Sequence, residues 1–202
     1  MIYKKYLKRV FDIIVSDLTM VVLLPFFIII AIAIKLDSRG PVFFTQIRVG
    51  KNKKTFKLYK FRTMFTFEDS FYEDGTPMEN YDRITKIGNL LRKTSLDELP
   101  QLINIFIGDM SIVGPRPTLP YQVKKYNSNQ VRRLEIKPGI TGLAQVSGRN
   151  SLSWEEKIKY DLDYIGNVKF LKDICIIFKT IVVVLQKENV EFTCHDKISK
   201  HS

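Results

Sequence analysis

The chain has 202 residues, 45% of them hydrophobic, and its 32 Lys and Arg against 21 Asp and Glu leave a net charge of +11. That is enough apolar content for one packed domain of ordinary size, which excludes a disordered chain, and the charge asks for an acidic partner: nucleic acid, an anionic membrane face or phosphorylated substrates. Cys175 and Cys194 fit no metal-ligand spacing and build no disulfide framework, and His195 and His201 are the only histidines, which argues against zinc or His-based catalysis.

Lys4, Lys5, Lys8 and Arg9 precede an apolar segment whose uninterrupted part, Leu18 to Ile34, holds Thr19 as its only polar residue. A straight helix of that length reaches about 25 Å, short of the ~30 Å hydrocarbon core. Pro25 stands near its middle, where it removes a backbone hydrogen bond and is expected to break the helix. Lys35 and Arg39 on the far side give both ends the signature of a cytoplasmic flank. These features predict a broken, re-entrant membrane helix that returns to the face it entered. A single-span anchor and a buried core helix are the competing readings. A signal peptide ending at Ala31-Ile-Ala33 is set aside, because the apolar region is long and the chain beyond it has no secreted-protein traits. Asp12 is expected to pair with Lys8 or Arg9 along the helix.

Gly40-Pro41 ends this segment. Val42 to Ile47 and Thr55 to Phe61 read as strands joined by a turn at Gly50-Lys-Asn-Lys53, a β-hairpin. Phe56, Tyr59 and Phe61 interleave with Lys57, Lys60 and Arg62, a pattern that either holds a phosphate or a base or marks a strand with one wet face. Glu68 to Asp82, acidic and carrying Gly75-Thr-Pro77, reads as a surface loop.

Ile84, Ile87, Leu90 and Leu91 predict a short helix ending near Arg92. Ser95-Leu-Asp-Glu98 has the form of a capping box, and Leu96, Leu99, Leu102, Ile103 and Phe106 recur at helical spacing. A second helix is therefore expected to begin at Ser95, with Pro100 near its start. Asp97 and Glu98 fall in its first turn, where the helix dipole favours an ionised carboxylate by roughly 0.3–1 kcal/mol. An ionised, oriented carboxylate is a usable nucleophile, and simple helix capping is the other reading of the same residues. Gly108-Asp109 turns the chain, Met110 to Val113 is another short apolar run, and Gly114-Pro-Arg-Pro117 comes next. Proline on both sides of Arg116 holds it extended and rigid, a planar fork of donors suited to a phosphate.

Lys137 to Asn150 is glycine-rich. Gly139, Gly142 and Gly148 let the backbone approach a ligand and Arg149 adds a cation, although ordinary turns explain the stretch equally and it is neither a Walker loop nor a dinucleotide fingerprint. Ser153 can cap a helix carrying Trp154, Ile158, Leu162 and Ile165. A last amphipathic helix presents Phe170, Leu171, Ile174, Ile177, Phe178, Ile181, Val182 and Leu185, with Lys172, Lys179 and Lys187 off the stripe, placed either in the membrane interface or against the core. The polar tail, residues 188–202, is expected to fray. The fold class is α+β, mostly helical, with a short hairpin and other short strands.

Arg92 with Leu96-Asp-Glu-Leu-Pro-Gln101, Gly108-Asp-Met-Ser-Ile-Val-Gly-Pro-Arg-Pro117 and Lys137-Pro-Gly-Ile-Thr-Gly-Leu-Ala-Gln-Val-Ser-Gly-Arg-Asn150 together resemble the bacterial sugar transferases, the small monotopic phosphoglycosyl transferases. Val42-Phe-Phe-Thr-Gln-Ile-Arg-Val-Gly50 and Lys60-Phe-Arg-Thr-Met64 fit the same pattern, and the likeness runs in one order from about Lys4 to about Leu185. That family commonly breaks its membrane helix at a Ser-Pro pair. Here the pair is Leu24-Pro25, which keeps the proline and lacks the serine hydroxyl that can satisfy a freed carbonyl.

The resemblance implies a re-entrant helix over residues 1–39 and a catalytic domain over residues 40–187 on the cytoplasmic face of the bacterial inner membrane. It implies transfer of a sugar phosphate from a UDP-sugar to undecaprenyl phosphate, giving UMP and undecaprenyl-diphosphate-sugar, as the first membrane step of capsule, O-antigen, exopolysaccharide or glycoprotein-glycan assembly. By position in the motif, Asp97 is the implied nucleophile, carrying a phosphosugar intermediate, and the implied ligand of a Mg2+ ion. Glu98 is implied as general base or as a group that positions the acceptor phosphate. Lys60, Arg62, Arg92, Arg116, Gln145 and Arg149 are the expected contacts to phosphate and nucleotide. Membrane lipids and downstream glycosyltransferases are further expected partners, and nucleic acid is not.

Two rivals predict different observations: a membrane-anchored glycosyltransferase releases UDP, and a non-catalytic basic module binds nucleic acid or anionic lipid with steep salt dependence. A two-carboxylate glycosidase is disfavoured, because its acid and base flank a bond several ångströms apart, whereas Asp97 and Glu98 are neighbours.

Overall fold

The computed structural model describes residues 3–72, 76–79, 82–148 and 151–186, so the expected polar tail lies outside the described residues. The first long element, α1 (Lys8–Asp37), is one helix of 30 residues with Pro25 inside it. The expected break at Pro25 does not interrupt it. A lone proline deletes the bond to the Val21 carbonyl, and the turns on either side keep the rest of the ladder. Among the described residues α1 is the one helix long and apolar enough to cross a membrane. Leu18, Val21, Val22, Phe26 and Ile29 are each at least 60% exposed, a face that only an apolar medium or partner would cover.

Both ends of α1 are tied to the same globular body. Near the start, Arg9 donates to the Ile105 and Phe106 carbonyls at 2.6 and 2.8 Å. Asp12 accepts from the Ser111 hydroxyl and the Ile112 amide, each at 3.1 Å. The expected pairing of Asp12 with Lys8 or Arg9 is thus replaced: Lys8 bonds Asp173 at 2.6 Å, because Asp12 is drawn into the core to satisfy a buried amide. At the far end, Asp37 accepts from the Ile87 amide at 2.9 Å, and Arg62 caps the carbonyls of Ser38 and Arg39. Ile34 is buried with Phe61 and Leu91, and Phe27 packs on Phe61 with ring centroids 5.4 Å apart.

The predicted hairpin forms from β1 (Phe43–Val49) and β2 (Thr55–Phe61), antiparallel, with Phe44 opposite Lys60 and Arg48 opposite Phe56. Asn52 and Lys53 take left-handed backbone at its turn, φ 55° and 62°. After the loop, α2 (Lys86–Thr94) starts on Thr85, whose hydroxyl accepts from the Gly88 amide at 3.0 Å.

The second helix departs from expectation. Ser95 is the left-handed C-cap of α2 at φ 58°, its amide bonded back to Arg92, so its hydroxyl caps nothing. Leu96 to Glu98 make one tight 3-10 turn, and α3 (Gln101–Ile107) begins beyond Pro100, its N-cap. The capping-box pattern loses to chain reversal: two helices that meet at an angle need a left-handed residue between them, and proline opens the second. Asn104 then docks α3 on β2, accepting from the Tyr59 amide at 3.0 Å and donating to the Lys57 carbonyl at 2.7 Å.

β3 (Ser111–Val113) and β4 (Gly139–Thr141) pair in parallel. A Cβ on Gly139 would stand 2.1 Å from the Gly114 nitrogen, so the glycines here serve close backbone packing. Between and after these strands come α4 (Pro120–Val123), α5 (Leu143–Ser147), α6 (Trp154–Gly166) and α7 (Phe170–Gln186). Ser153 caps α6 as predicted, with a reciprocal Glu156 bond. Leu58, Leu102, Ile105, Met110, Val113, Tyr164 and Ile176 form the main core. Asp173 of α7 accepts from Tyr164 at 2.5 Å and from Tyr3 at 2.6 Å, pinning α7 to α6 and to the start of the chain. Ile176 and Val183 of α7 face inward, while Leu171, Phe178 and Leu185 stay exposed.

Candidate active site

A cleft of about 720 Å3 opens where the hairpin, the α2–α3 junction, the loop after β3 and the α6 N-terminus meet. Asp97 and Glu98 enter it from the tight turn that Ser95 and Pro100 bracket. Because Asn104 fixes α3 to β2, Lys60 reaches both carboxylates, 2.7 Å from Glu98 Oε1 and 3.5 Å from Asp97 Oδ2. Arg116 approaches Glu98 from the other side, with Nη2 at 2.6 Å from Oε1 and Nη1 at 3.4 Å from Oε2. Arg92, at the end of α2, anchors its Nε on the Thr63 hydroxyl at 2.8 Å and lends its charge to Asp97.

The two neighbouring carboxylates are in different electrostatic states. Burial pushes Asp97 above the ordinary aspartate range, against the pull of Lys60, with Glu98 adding repulsion. Glu98 is also penalised by burial, but Arg116 and Lys60 outweigh it and hold the group at about 2. Asp97 is thus the less satisfied carboxylate, accepting one long contact, and Glu98 is firmly ionised in a two-cation clamp.

Lys60, Arg92, Arg116, Gln145, Asp97 and Glu98 all line the cleft. Gln145 donates to the Ile140 carbonyl at 3.1 Å. Arg62 does not line it, since its guanidinium is spent on the end of α1. Arg149 lies outside the described residues.

Several cleft residues escape sequence reasoning. Arg133 and Asp161, 4% and 2% exposed, make a buried ion pair across 28 residues of chain. Arg133 also donates to the Tyr126 hydroxyl at 2.8 Å and to the Arg116 carbonyl at 3.3 Å, and it lies against the rings of Tyr126 and Trp154. The pair therefore supports the backbone that presents Arg116. Arg48 also lines the cleft, and its stretch, Val42 to Gly50, enters the sequence reading only as part of the family likeness. No local pattern announces contacts made so far apart in sequence.

No group of three or more His, Cys, Asp or Glu gathers into a metal cage among the described residues. Mg2+ is commonly held by one or two carboxylates together with substrate phosphates, and Asp97, ionisable and sparsely bonded beside a cationic cleft, fits that donor set.

Helix α1 has the length and apolarity to enter a membrane, and the cationic cleft suits an anionic substrate. The sequence pattern described as "Bacterial sugar transferase" matches residues 3–187, and the chain belongs to that family. It is 45% identical over 193 residues to an uncharacterized sugar transferase, EpsL, of Bacillus subtilis, covering 94% of this chain and 92% of that one. It is 39% identical over 191 residues to the exopolysaccharide production protein ExoY of Sinorhizobium fredii, covering 88% and 84%. A longer relative, the UDP-glucose:undecaprenyl-phosphate glucose-1-phosphate transferase of Klebsiella pneumoniae, is 43% identical over 183 residues, 86% of this chain and 39% of that protein.

Proposed function

We propose that this protein transfers a sugar phosphate from a UDP-sugar to undecaprenyl phosphate, in two displacements through a phosphosugar carried on Asp97. The observation that carries the reading is the row Arg92, Asp97, Lys60, Glu98, Arg116: two carboxylates threaded among three cations in one cleft. The Klebsiella relative's stated reaction supports the same donor and acceptor classes.

In the first displacement an Asp97 oxygen attacks the phosphorus nearest the sugar, the bond to the distal phosphate breaks, and UMP leaves with its electron pair. In the second, a phosphate oxygen of the lipid attacks the same phosphorus, and the acyl-phosphate bond breaks to restore Asp97 and yield undecaprenyl-diphosphate-sugar. A carboxylate approaching an anionic diphosphate meets repulsion, which Lys60, Arg92 and Arg116 offset in place. Burial suits Asp97 to the attacking role, since a poorly solvated carboxylate sheds little water on approach. Glu98 at about 2 is too weak a base at neutral pH, so it serves to hold Lys60 and Arg116. Mg2+ bound by Asp97 and the diphosphate would add charge neutralisation.

The membrane reading is a re-entrant helix that stays continuous and bends at Pro25 rather than breaking there, with the catalytic domain on the cytoplasmic face of the inner membrane. Its support is the tethering of both ends of α1 to one body, through Arg9 and Asp12 at one end and Asp37 and the Arg62-capped carbonyls at the other. A helix that crossed the bilayer would leave its ends on opposite sides. The polysaccharide-assembly role accords with the relatives' class.

The test is nucleotide identification. The protein in membranes, with Mg2+, undecaprenyl phosphate and a panel of UDP-sugars, should release UMP from a specific donor, and Asp97→Asn should not. Release of UDP would indicate glycosyl transfer instead, and no release from any donor would leave a binding module.

A further inference from the structure

The charges in the cleft run Arg92, Asp97, Lys60, Glu98, Arg116, Arg48. Asp97, Lys60, Glu98 and Arg116 are joined by ion pairs, and Arg92 lends its charge to Asp97. Arg48 ends the row against another cation. After the cost of burial, the influence that most depresses its proton affinity is Arg116, and Glu98 opposes it more weakly. Among the described residues Arg48 makes no ion pair. Its Nη1 donates to the Pro117 carbonyl at 3.2 Å, its Nη2 to the Gln46 amide oxygen at 2.6 Å, and its Nε is buried without a partner.

A partly buried guanidinium tethered to two neutral acceptors, with one nitrogen unpaired and a second guanidinium lining the same cleft, is costly unless an anion completes it. Each Nη carries a second N–H beyond these bonds and the Glu98 contacts, and the free N–H groups of two guanidiniums in one cleft suit the oxygens of a phosphoryl group. The geometry points to a phosphoryl subsite formed by Arg48 and Arg116 in the cleft, taking a phosphate or diphosphate group. The source of that group rests on the phosphoglycosyl-transfer reading: it is the donor's diphosphate or the phosphate of the lipid acceptor. Gln46 and the Pro117 carbonyl are the tethers that orient Arg48 toward it.

Calorimetric titration of inorganic pyrophosphate into the full chain in lipid nanodiscs tests the subsite, using wild type, Arg48→Gln and Arg48→Lys with a thermal melt of each. Loss of charge-assisted bonds predicts binding about tenfold or more weaker in Arg48→Gln, with Arg48→Lys between. Equal affinity in wild type and Arg48→Gln, or no binding by wild type, overturns the subsite. If Arg48→Gln fails to fold, Arg48→Lys decides: a point charge cannot make the forked contact, so unchanged affinity overturns the subsite and weakened affinity supports it.

Turnover then assigns the source. A raised KM for the UDP-sugar in Arg48→Lys places the donor diphosphate there, and a raised KM for undecaprenyl phosphate places the lipid phosphate there. Both KM values unchanged in an active variant overturn the subsite. Pyrophosphate binding needs no turnover, so failure of every UDP-sugar to yield UMP refutes the transfer reading while the subsite is still measured.

Discussion

Arg116 Nη2 lies 2.6 Å from Glu98 Oε1, and this contact joins the proline-bracketed arginine to the carboxylate next to the proposed nucleophile. Glu98 is held by Lys60 as well, so removing its charge frees both cations at once. Glu98→Gln is expected to lower kcat more than it raises the donor KM, because it disorganises the groups that stabilise the transferring phosphoryl. Steady-state kinetics at varied UDP-sugar separates the two effects.

The two carboxylates respond to pH in opposite senses. The Glu98 pKa is depressed from 4.5 to about 2, so its stabilising contribution is present above pH 4.5 and is lost as pH falls toward 2. The melting midpoint of wild type should therefore drop further over that window than the midpoint of Glu98→Gln. Asp97 is raised, so the acid limb of the kcat/KM profile should lie above pH 3.8, and a limb at or below it would contradict the burial argument.

Lys60 is the one cation, among the described residues, that contacts both carboxylates. Lys60→Met should reduce kcat by roughly 10²–10³-fold, the scale of removing one preorganised charge-stabilising donor. Circular dichroism should stay unchanged, since Lys60 has a partly exposed side chain at the cleft and carries none of the main core.

The Arg133–Asp161 pair is buried on both sides and supports the Arg116 carbonyl. Asp161→Asn or Arg133→Met alone should destabilise the fold by about 3–5 kcal/mol, because one charge remains buried without its partner. The double variant Arg133→Met, Asp161→Leu should recover part of that in denaturant unfolding and still be slow, since Arg116 loses its support.

The hairpin, α2 and the Ser153 cap were legible in the sequence because each shows in a local pattern: two strand-length runs about a turn, apolar residues at helical spacing, and a serine just before a helical stripe. Ser95 misled because its capping-box pattern is local, whereas the left-handed turn it adopts is imposed by how α2 and α3 meet. Asp12 misled for the same reason, its partners lying about 100 residues away in β3. Asp97, Glu98, Lys60 and Arg116 could be named from motif position, but the clamp they form depends on Asn104 docking α3 onto β2. Arg133 and Asp161 were invisible because only the tertiary fold brings them together.

The topology is open to a direct check. Reporter tags at both termini should be labelled from one side of the membrane only, the cytoplasmic side in the proposed topology, since both α1 ends are tied to one body. Labelling from opposite sides would make α1 a true span.

The most direct measurement is the intact mass of the purified protein mixed with Mg2+ and its UDP-sugar in the absence of lipid acceptor. A mass increase equal to one sugar phosphate, mapped to the peptide containing Asp97, chased off by undecaprenyl phosphate and absent in Asp97→Asn, is the predicted result. Full turnover with no covalent adduct at any time, or an adduct on another residue, would contradict the assignment of Asp97 as the nucleophile.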